Sequence, residues 1–403
     1  MSIQYAKTKK GLRIVYSEIS YSKKASLIVL VKCGSVHETK NNSGVFHLIE
    51  HSLFNGSKKF RTPMEIGEKI DKLGISVEAA TYREFTKYKF GFHTKNTEKV
   101  IDFIFELLLR PTFEEKLLEK EKKIVLDEVK MDTYDNYKVF YEKTDKLLFK
   151  NTPLEKDQAG DVISLKNIKY QTVLDFHKKY YVGKNILIAY VGPSYKIFFK
   201  KIDEQFAFTE KGEILSYPKF FINKKNKDIY KIAINDTFDC NSLIFCEHIK
   251  NDKDHYLVLL LKTILENKIN NFFVSQEKVF YDISVGITEF KRELLLDITF
   301  SVNSKDKKQQ MNLLKKFILS LDLKKEDLSE ANNAISNELD FVKNDPDALA
   351  DLLVFRLLNN ILLRNLNDEK KNFNKISLLE LQKFAKKFLN EQNLFTFVSR
   401  YKK

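Results

Sequence analysis

Apolar residues along this chain recur with two periods, one of two residues and one near 3.6, and the two alternate in blocks. Residues 11–18 and 25–33 (Ala25-Ser26-Leu27-Ile28-Val29-Leu30-Val31-Lys32-Cys33) are rich in β-branched side chains and predict strands. A loop with Gly34, Ser35, Ser43 and Gly44 follows, and then a helix over about 44–55. Thr62-Pro63-Met64-Glu65 offers an N-cap, a proline at the first helical position and a glutamate at the third, so a helix starts there and ends near Gly74. Residues 75–82 and 86–93 alternate like paired strands. Helices are predicted at 97–109, 114–133, 136–149 and 163–179, then a buried strand at 185–191 and a helix to 206. The second half repeats this order: strands at 229–235 and 242–248, a helix at 254–268, strands at 280–287 and 294–302. Helices at 306–320, 325–343, 347–363 and 376–389 and a strand at 394–399 complete it. The order predicts an α+β fold of two similar domains, each an antiparallel-type mixed sheet with helices packed on one face. The expected domains are 1–208 and 229–403. The segment 209–228, with Gly212, Pro218 and several Lys and Asn, is the expected linker.

Composition narrows the class. At 403 residues the chain exceeds what one ordinary core accommodates, and 43% hydrophobic with 13% aromatic residues suffices for two. No apolar run approaches the roughly 20 residues of a membrane span, and the start shows no apolar signal segment. Cys33, Cys240 and Cys246 lack metal or redox spacing and read as reduced core thiols, which points to the cytoplasm. The net charge of +14 is spread along the chain. Without a basic run interleaved with aromatics or a nucleic-acid motif, it predicts no nucleic-acid partner.

Candidate chemistry concentrates in His47-Leu48-Ile49-Glu50-His51. On a helix, positions i and i+4 share a face, so both imidazoles can point at one spot with Glu50 beside them. The spacing is His-x-x-Glu-His, the inverzincin order. Two imidazoles near a carboxylate suit a catalytic zinc, which takes three protein ligands and keeps one position open. The alternative is a helix turn with two solvated histidines. The third ligand must lie elsewhere. The predicted helix over 114–133 carries Glu121-Lys122-Lys123-Ile124-Val125-Leu126-Asp127-Glu128, in which Glu121 and Glu128 share a face nearly two turns apart. Ile124 and Val125, between them, suit a buried seam, and Glu119 and Asp127 read as solvated. By periodicity Glu128 is one candidate among several. His37, His93, His177, His248 and His255 show no paired spacing and read as structural or surface residues.

These blocks resemble the pitrilysin family of zinc metallopeptidases, which includes the mitochondrial processing peptidases. Gly34-Ser35, Glu38, Gly44 and the run from His47 to Lys59 follow its motif block. Arg110-Pro111-Thr112-Phe113 and Glu121 to Glu128 follow its later helix block, and Tyr180-Tyr181, Asn185 and Val191-Gly192 the end of its first domain. The resemblance implies one zinc per chain held by His47, His51 and Glu128. It implies Glu50 as the proton carrier of peptide hydrolysis, and Glu121 as a supporting residue that orients a ligand. It also implies a peptide substrate that adds as a strand to Gly74–Thr81. There the family has Asn-Ala where this chain has Glu78-Ala79. Glu78 either adds a carboxylate near the scissile bond, favouring Lys or Arg there, or faces solvent. Tyr281 matches a substrate-holding tyrosine of the second domain, or is a packed strand aromatic. The arginine expected with it is absent, and Ser275 stands in its place. Single-chain members carry four such domains and this chain two, so a homodimer or a heterodimer with a related chain is expected. Rival expectations are a dedicated processing peptidase for a leader peptide and a non-catalytic subunit.

Overall fold

Two sheets of matching strand order organise the chain. The computed structural model describes residues 2–193, 195–206, 212, 215–218, 220, 222, 229–234, 239–248, 251–274, 280–291, 293–302 and 307–401. Its strands are β1 (Ile3–Lys7), β2 (Arg13–Glu18), β3 (Lys24–Val31), β4 (Ser76–Thr81), β5 (Thr86–His93), β6 (Ile186–Gly192), β7 (Ile229–Ile234), β8 (Asn241–His248), β9 (Phe280–Glu289), β10 (Glu293–Val302) and β11 (Leu394–Tyr401). The first half carries helices α1 (Val45–Ser52), α2 (Pro63–Leu73), α3 (Thr97–Leu109), α4 (Glu115–Asp132), α5 (Asn136–Leu148), α6 (Val162–Asn167), α7 (Tyr170–Tyr180) and α8 (Tyr195–Phe206). The second carries α9 (Lys253–Val274), α10 (Lys307–Leu319), α11 (Lys325–Val342), α12 (Pro346–Leu358), α13 (Leu366–Asn374) and α14 (Leu378–Phe388). Among the described residues no helix is long and apolar enough to cross a membrane.

The sheets run β1-β2-β6-β3-β5-β4 and β7-β11-β8-β10-β9. In each, one parallel pair (β2 with β6, β7 with β11) is followed by antiparallel neighbours, so the second sheet reproduces the first without β1. The repeat of element order read from the sequence is thus a repeat of topology.

Chain segments group into two units. One holds Met1–Asp132, Lys156–Phe220 and Phe341–Leu366, the other Thr133–Glu155, Phe221–Asp340 and Asn367–Lys403. The stretches 1–208 and 229–403 supply the bulk of each, and each gives one helix away. In the first unit α12 packs on β2, β3 and β6, and in the second α5 packs on β7 and β11. Helix α12 gives the first sheet a covered second face. On one face Leu27, Val29, Tyr88, Phe90 and Ile188 meet Val45, Phe46, Ile49, Val100 and Ile104 in one core. On the other, Val15, Ile28, Leu30, Leu187 and Ala189 are fully buried. This explains why β3 reads as a continuous apolar run, since a strand buried on both faces loses its alternation.

Local signals set several boundaries as expected. The Thr62 side chain accepts from the Glu65 amide at 3.2 Å, and Gly74 ends α2 in the left-handed region at φ 61°. Elsewhere the sequence reading needs correction. The predicted helix 163–179 is two helices, broken at Ile168, whose ψ of 120° is extended. No glycine or proline marks the break. Strand β1 and helix α13 have no counterpart among the predicted elements; β1 is an edge strand paired only with β2.

Candidate metal centre

Helix α1 presents the histidines, and its orientation is set from outside itself. Its buried residues Phe46, Leu48 and Ile49 lock one side into the core. Its N-cap is Gly44, at φ 91°, which offers no side-chain acceptor. Glu38 supplies it instead: its carboxylate accepts from the Gly44 amide at 2.9 Å and the Phe46 amide at 3.1 Å. These are helix-end donors that no earlier turn can satisfy. Burial pushes the Glu38 carboxyl up to about 7, against the two amide bonds. Gly44 is also a point of close approach, because a Cβ there would lie 2.8 Å from the Ala159 carbonyl oxygen and 3.1 Å from the Gly160 Cα.

The spacing delivers what helix geometry predicts. The His47 and His51 rings stand 4.7 Å apart, nearly perpendicular. Helix α4 packs against α1 through a face that buries Leu118, Lys122 and Val125. Val125 lies in that seam, whereas Ile124 is 46% exposed, so only one of the two apolar residues expected there is buried. Glu119 and Asp127 are solvated, as read.

Glu128 Oε2 lies 3.5 Å from His51 Nε2 and 3.9 Å from His47 Nε2. One donor atom from each of His47, His51 and Glu128 falls within 4.8 Å of the others. Among the described residues this is the one such group of three or more His, Cys, Asp or Glu. Bonds of about 2.0–2.2 Å at tetrahedral angles place ligand atoms about 3.3–3.6 Å apart. The two imidazole–carboxylate separations are within a few tenths of an ångström of that, so the donor set fits a zinc ion by size and chemistry. Glu121 stands on the far side of His51, its Oε2 3.5 Å from Nδ1. Its contact holds the His51 imidazole above its ordinary value, while burial and then His51 itself lower His47. Glu50 is 7% exposed and accepts a 2.6 Å hydrogen bond from the Thr81 hydroxyl at Oε2. Burial raises its carboxyl above the usual range, with the Thr81 bond opposing.

The remaining sequence candidates fall elsewhere. The Glu78 carboxylate is paired with Lys89 at 2.8 Å and Lys87 at 3.3 Å. Both lysines also pair with Asp351 of α12. Glu78 therefore faces α12, and strand alternation puts Ala79 and Thr81 on the opposite face, toward α1. The structure brings together His47, His51, Glu128, Glu121 and Glu50, with Ala79 on the same face of β4, and does not bring Glu78 to them. Tyr281 lies on β9, but its side chain and Ser275 fall outside the described residues. Sequence reasoning missed two residues of the site. In the sequence Thr81 reads only as the end of a strand, and Glu38 only as part of the resemblance, without its capping role. No sequence signal marks Glu38 as the cap, because Ser43 stands just before the helix and reads as a local N-cap, whereas the structure puts Gly44 there.

Comparison with known proteins identifies the family. Residues 13–161 match the profile described as insulinase (peptidase family M16), and residues 167–335 that of the peptidase M16 inactive domain. This chain belongs to the M16 peptidase family. The M16 profile for the first half contains all five clustered residues, and the inactive-domain profile covers a stretch with no three-donor group among the described residues. M16 relatives include the mitochondrial-processing peptidase subunit beta of Dictyostelium discoideum, 26% identical over 64% of this chain and 55% of that protein. Another is the uncharacterized zinc protease YmxG of Bacillus subtilis, 27% identical over 53% of each. The chain thus spans a little over half the length of such M16 relatives. A protease from Helicobacter pylori shares the fold over 99% of both chains, with a TM-score of 0.85 at 18% identity. A peptidase M16 inactive domain from Pseudomonas fluorescens shares it over 100% of this chain and 99% of that one, with a TM-score of 0.85 at 17% identity.

Proposed function

We propose that this chain is a zinc-dependent endopeptidase acting on unfolded peptides. The observation that carries the reading is the convergence of His47, His51 and Glu128 donor atoms beside the buried carboxylate of Glu50. Family membership and a relative named a zinc protease support it.

His47, His51 and Glu128 would hold the ion, one per chain. Zinc in such a site supplies a Lewis acid that polarises a peptide carbonyl and eases ionisation of water. The chain's own residues do the rest. Glu50 accepts a proton from the attacking water as the carbon–oxygen bond forms, then delivers that proton to the departing amine as the carbon–nitrogen bond breaks. Glu121, at His51 Nδ1, fixes that ring's rotation and tautomer so that Nε2 faces the ion. A peptide would add as a strand along the open edge of β4, placing its backbone beside Ala79. Tyr281 would take part in holding substrate. The relative named as a subunit supports work in pairs, as a homodimer or a heterodimer with a related chain, enclosing the substrate between copies. Its name also supports a second reading, dedicated processing of a precursor peptide.

The test is Glu50→Gln, assayed by mass spectrometry of products from a peptide mixture, with and without chelator. The variant should keep full zinc and lose about 10²–10⁴-fold in rate. Retained hydrolysis, or hydrolysis by the parent that survives chelation, would overturn the proposal. Cleavage of one precursor alone would favour the second reading.

A further inference from the structure

The mechanism so far leaves open what holds Glu50. A carboxylate on an eight-residue helix has free χ torsions, and a general base must be held within hydrogen-bond reach of its proton. Glu50 lies on α1, whose two histidines face Glu121 and Glu128 of α4, and among the described residues no hydrogen bond from α1 or α4 holds it. Among the described residues the one side chain that donates to it is Thr81, at 2.6 Å. That is short for a hydroxyl–oxygen bond, as expected when the acceptor is ionised. The Thr81 main chain also favours the ionised carboxylate.

Thr81 is well placed to be a fixed point. It is the last residue of β4, paired across the sheet with Thr86, which is fully buried and donates to the Cys33 carbonyl at 3.1 Å. The following residue, Tyr82, donates its amide to the Phe85 carbonyl at 2.8 Å, closing the β4–β5 turn. The threonine's β-branched side chain has few rotamers in a strand. Its hydroxyl is therefore aimed by the backbone of the hairpin.

We propose that Thr81 is a positioning residue for Glu50, and that through it the edge strand where a peptide docks also sets the base. This rests on the reading of Glu50 as the proton carrier. Thr81 is not one of the three donor residues, so its loss should spare metal binding. A peptide that adds along β4 orders the strand whose last side chain holds the carboxylate, so docking and proton transfer share one element.

The comparison uses Thr81→Val and Thr81→Ser in the full chain loaded with zinc. Valine keeps the strand-favouring shape and loses the donor; serine keeps the donor. Peptide hydrolysis, zinc affinity by chelator competition and thermal melting are read together. Thr81→Val should lose about 10–100-fold in kcat, the range typical of an orienting partner, with KM within about three-fold. Zinc affinity and melting should stay at the parent's values, and Thr81→Ser should restore kcat. Should Thr81→Val melt early, Thr81→Ala against Thr81→Ser makes the same comparison. A kcat unchanged in the valine variant, or serine as impaired as valine, would overturn the inference while an inert Glu50→Gln leaves the peptidase reading standing. An active Glu50→Gln would overturn both.

Discussion

Replacing Glu121 by alanine tests whether this group of residues is built for a metal or only looks so. The substitution removes the carboxylate that faces His51 Nδ1 at 3.5 Å and leaves the three donor residues in place. Removing such orienting partners typically costs about 10–100-fold in metal affinity, or about 1.4–2.8 kcal/mol at 1.4 kcal/mol per factor of ten. Two features of the structure place Glu121 within that range. The contact is long and single, which argues for the lower end. The side chain is only 15% exposed and His51 25%, so water replaces the lost partner poorly, which argues for the upper. We expect about a 30-fold weaker zinc affinity, near the logarithmic middle of the range. The assay is zinc competition against a fluorescent chelator at fixed pH, with thermal melting to confirm folding. Asp127→Ala is the control. Its carboxylate is 71% exposed and pairs at 2.8 Å with Lys130, itself 54% exposed, on the same helix. Such an exposed pair contributes under about 1 kcal/mol to stability and should leave zinc affinity unchanged. An affinity within about two-fold of the parent for Glu121→Ala would refute the orienting role assigned by geometry. So would equal losses in both variants.

Gly160→Ala should destabilise the first unit and weaken zinc together, because a Cβ there would meet Gly44 Cα at 2.5 Å at a backbone φ of 86°. A cost of about 1–3 kcal/mol is expected for the strain, read as a lower melting temperature with reduced zinc affinity; unchanged melting would refute the packing argument. Asp297 is a partly buried carboxylate of β10 whose pKa is raised to about 6 by desolvation, despite hydrogen bonds from Ser242 and Thr299. A raised folded-state pKa contributes stability below the unfolded value near 4 and loses it as pH rises through about 6. The difference of about two units amounts to about 3 kcal/mol, so Asp297→Asn should gain on the parent by that much between pH 4 and pH 8. Hydrogen exchange of the β10 amides reads this, and a pH-independent difference would refute it.

How much of this was legible in the sequence follows from how far each interaction reaches along the chain. Period and capping are local, so α2 with Thr62 and Gly74 was read to within a residue, and so was the pairing of β4 with β5. The His47–His51 face is equally local, since i and i+4 must be neighbours on any helix. Glu128 was on the right helix and face, but only resemblance singled it out, because periodicity says nothing about which of two packed helices a carboxylate faces. Glu78 shows the opposite limit. Its residue type suggested a charge for the substrate, but the partners that fix its direction, Lys87, Lys89 and Asp351, include a residue more than 270 positions away. Helix α12, the source of that residue, packs across the chain's halves, and no periodicity within an element encodes which sheet a helix will cover.

By itself the pentapeptide does not hold its two histidines in place. Helix α1 has eight residues, well short of the roughly 12–15 at which isolated helices become even marginal in water. It begins at a glycine that contributes no side-chain cap. The Glu38 carboxylate accepts from the Gly44 and Phe46 amides, the N-cap Gly44 packs directly against Gly160, and Phe46 and Ile49 are clamped in the core. Detached from these, His47 and His51 would sample separations far wider than 4.7 Å between rings. The sequence motif therefore specifies which atoms bind, while the first unit's packing specifies where they are. A substitution at Glu38, which touches no ligand, should on this view loosen the metal's donors more than a conservative change among the solvated charges of α4.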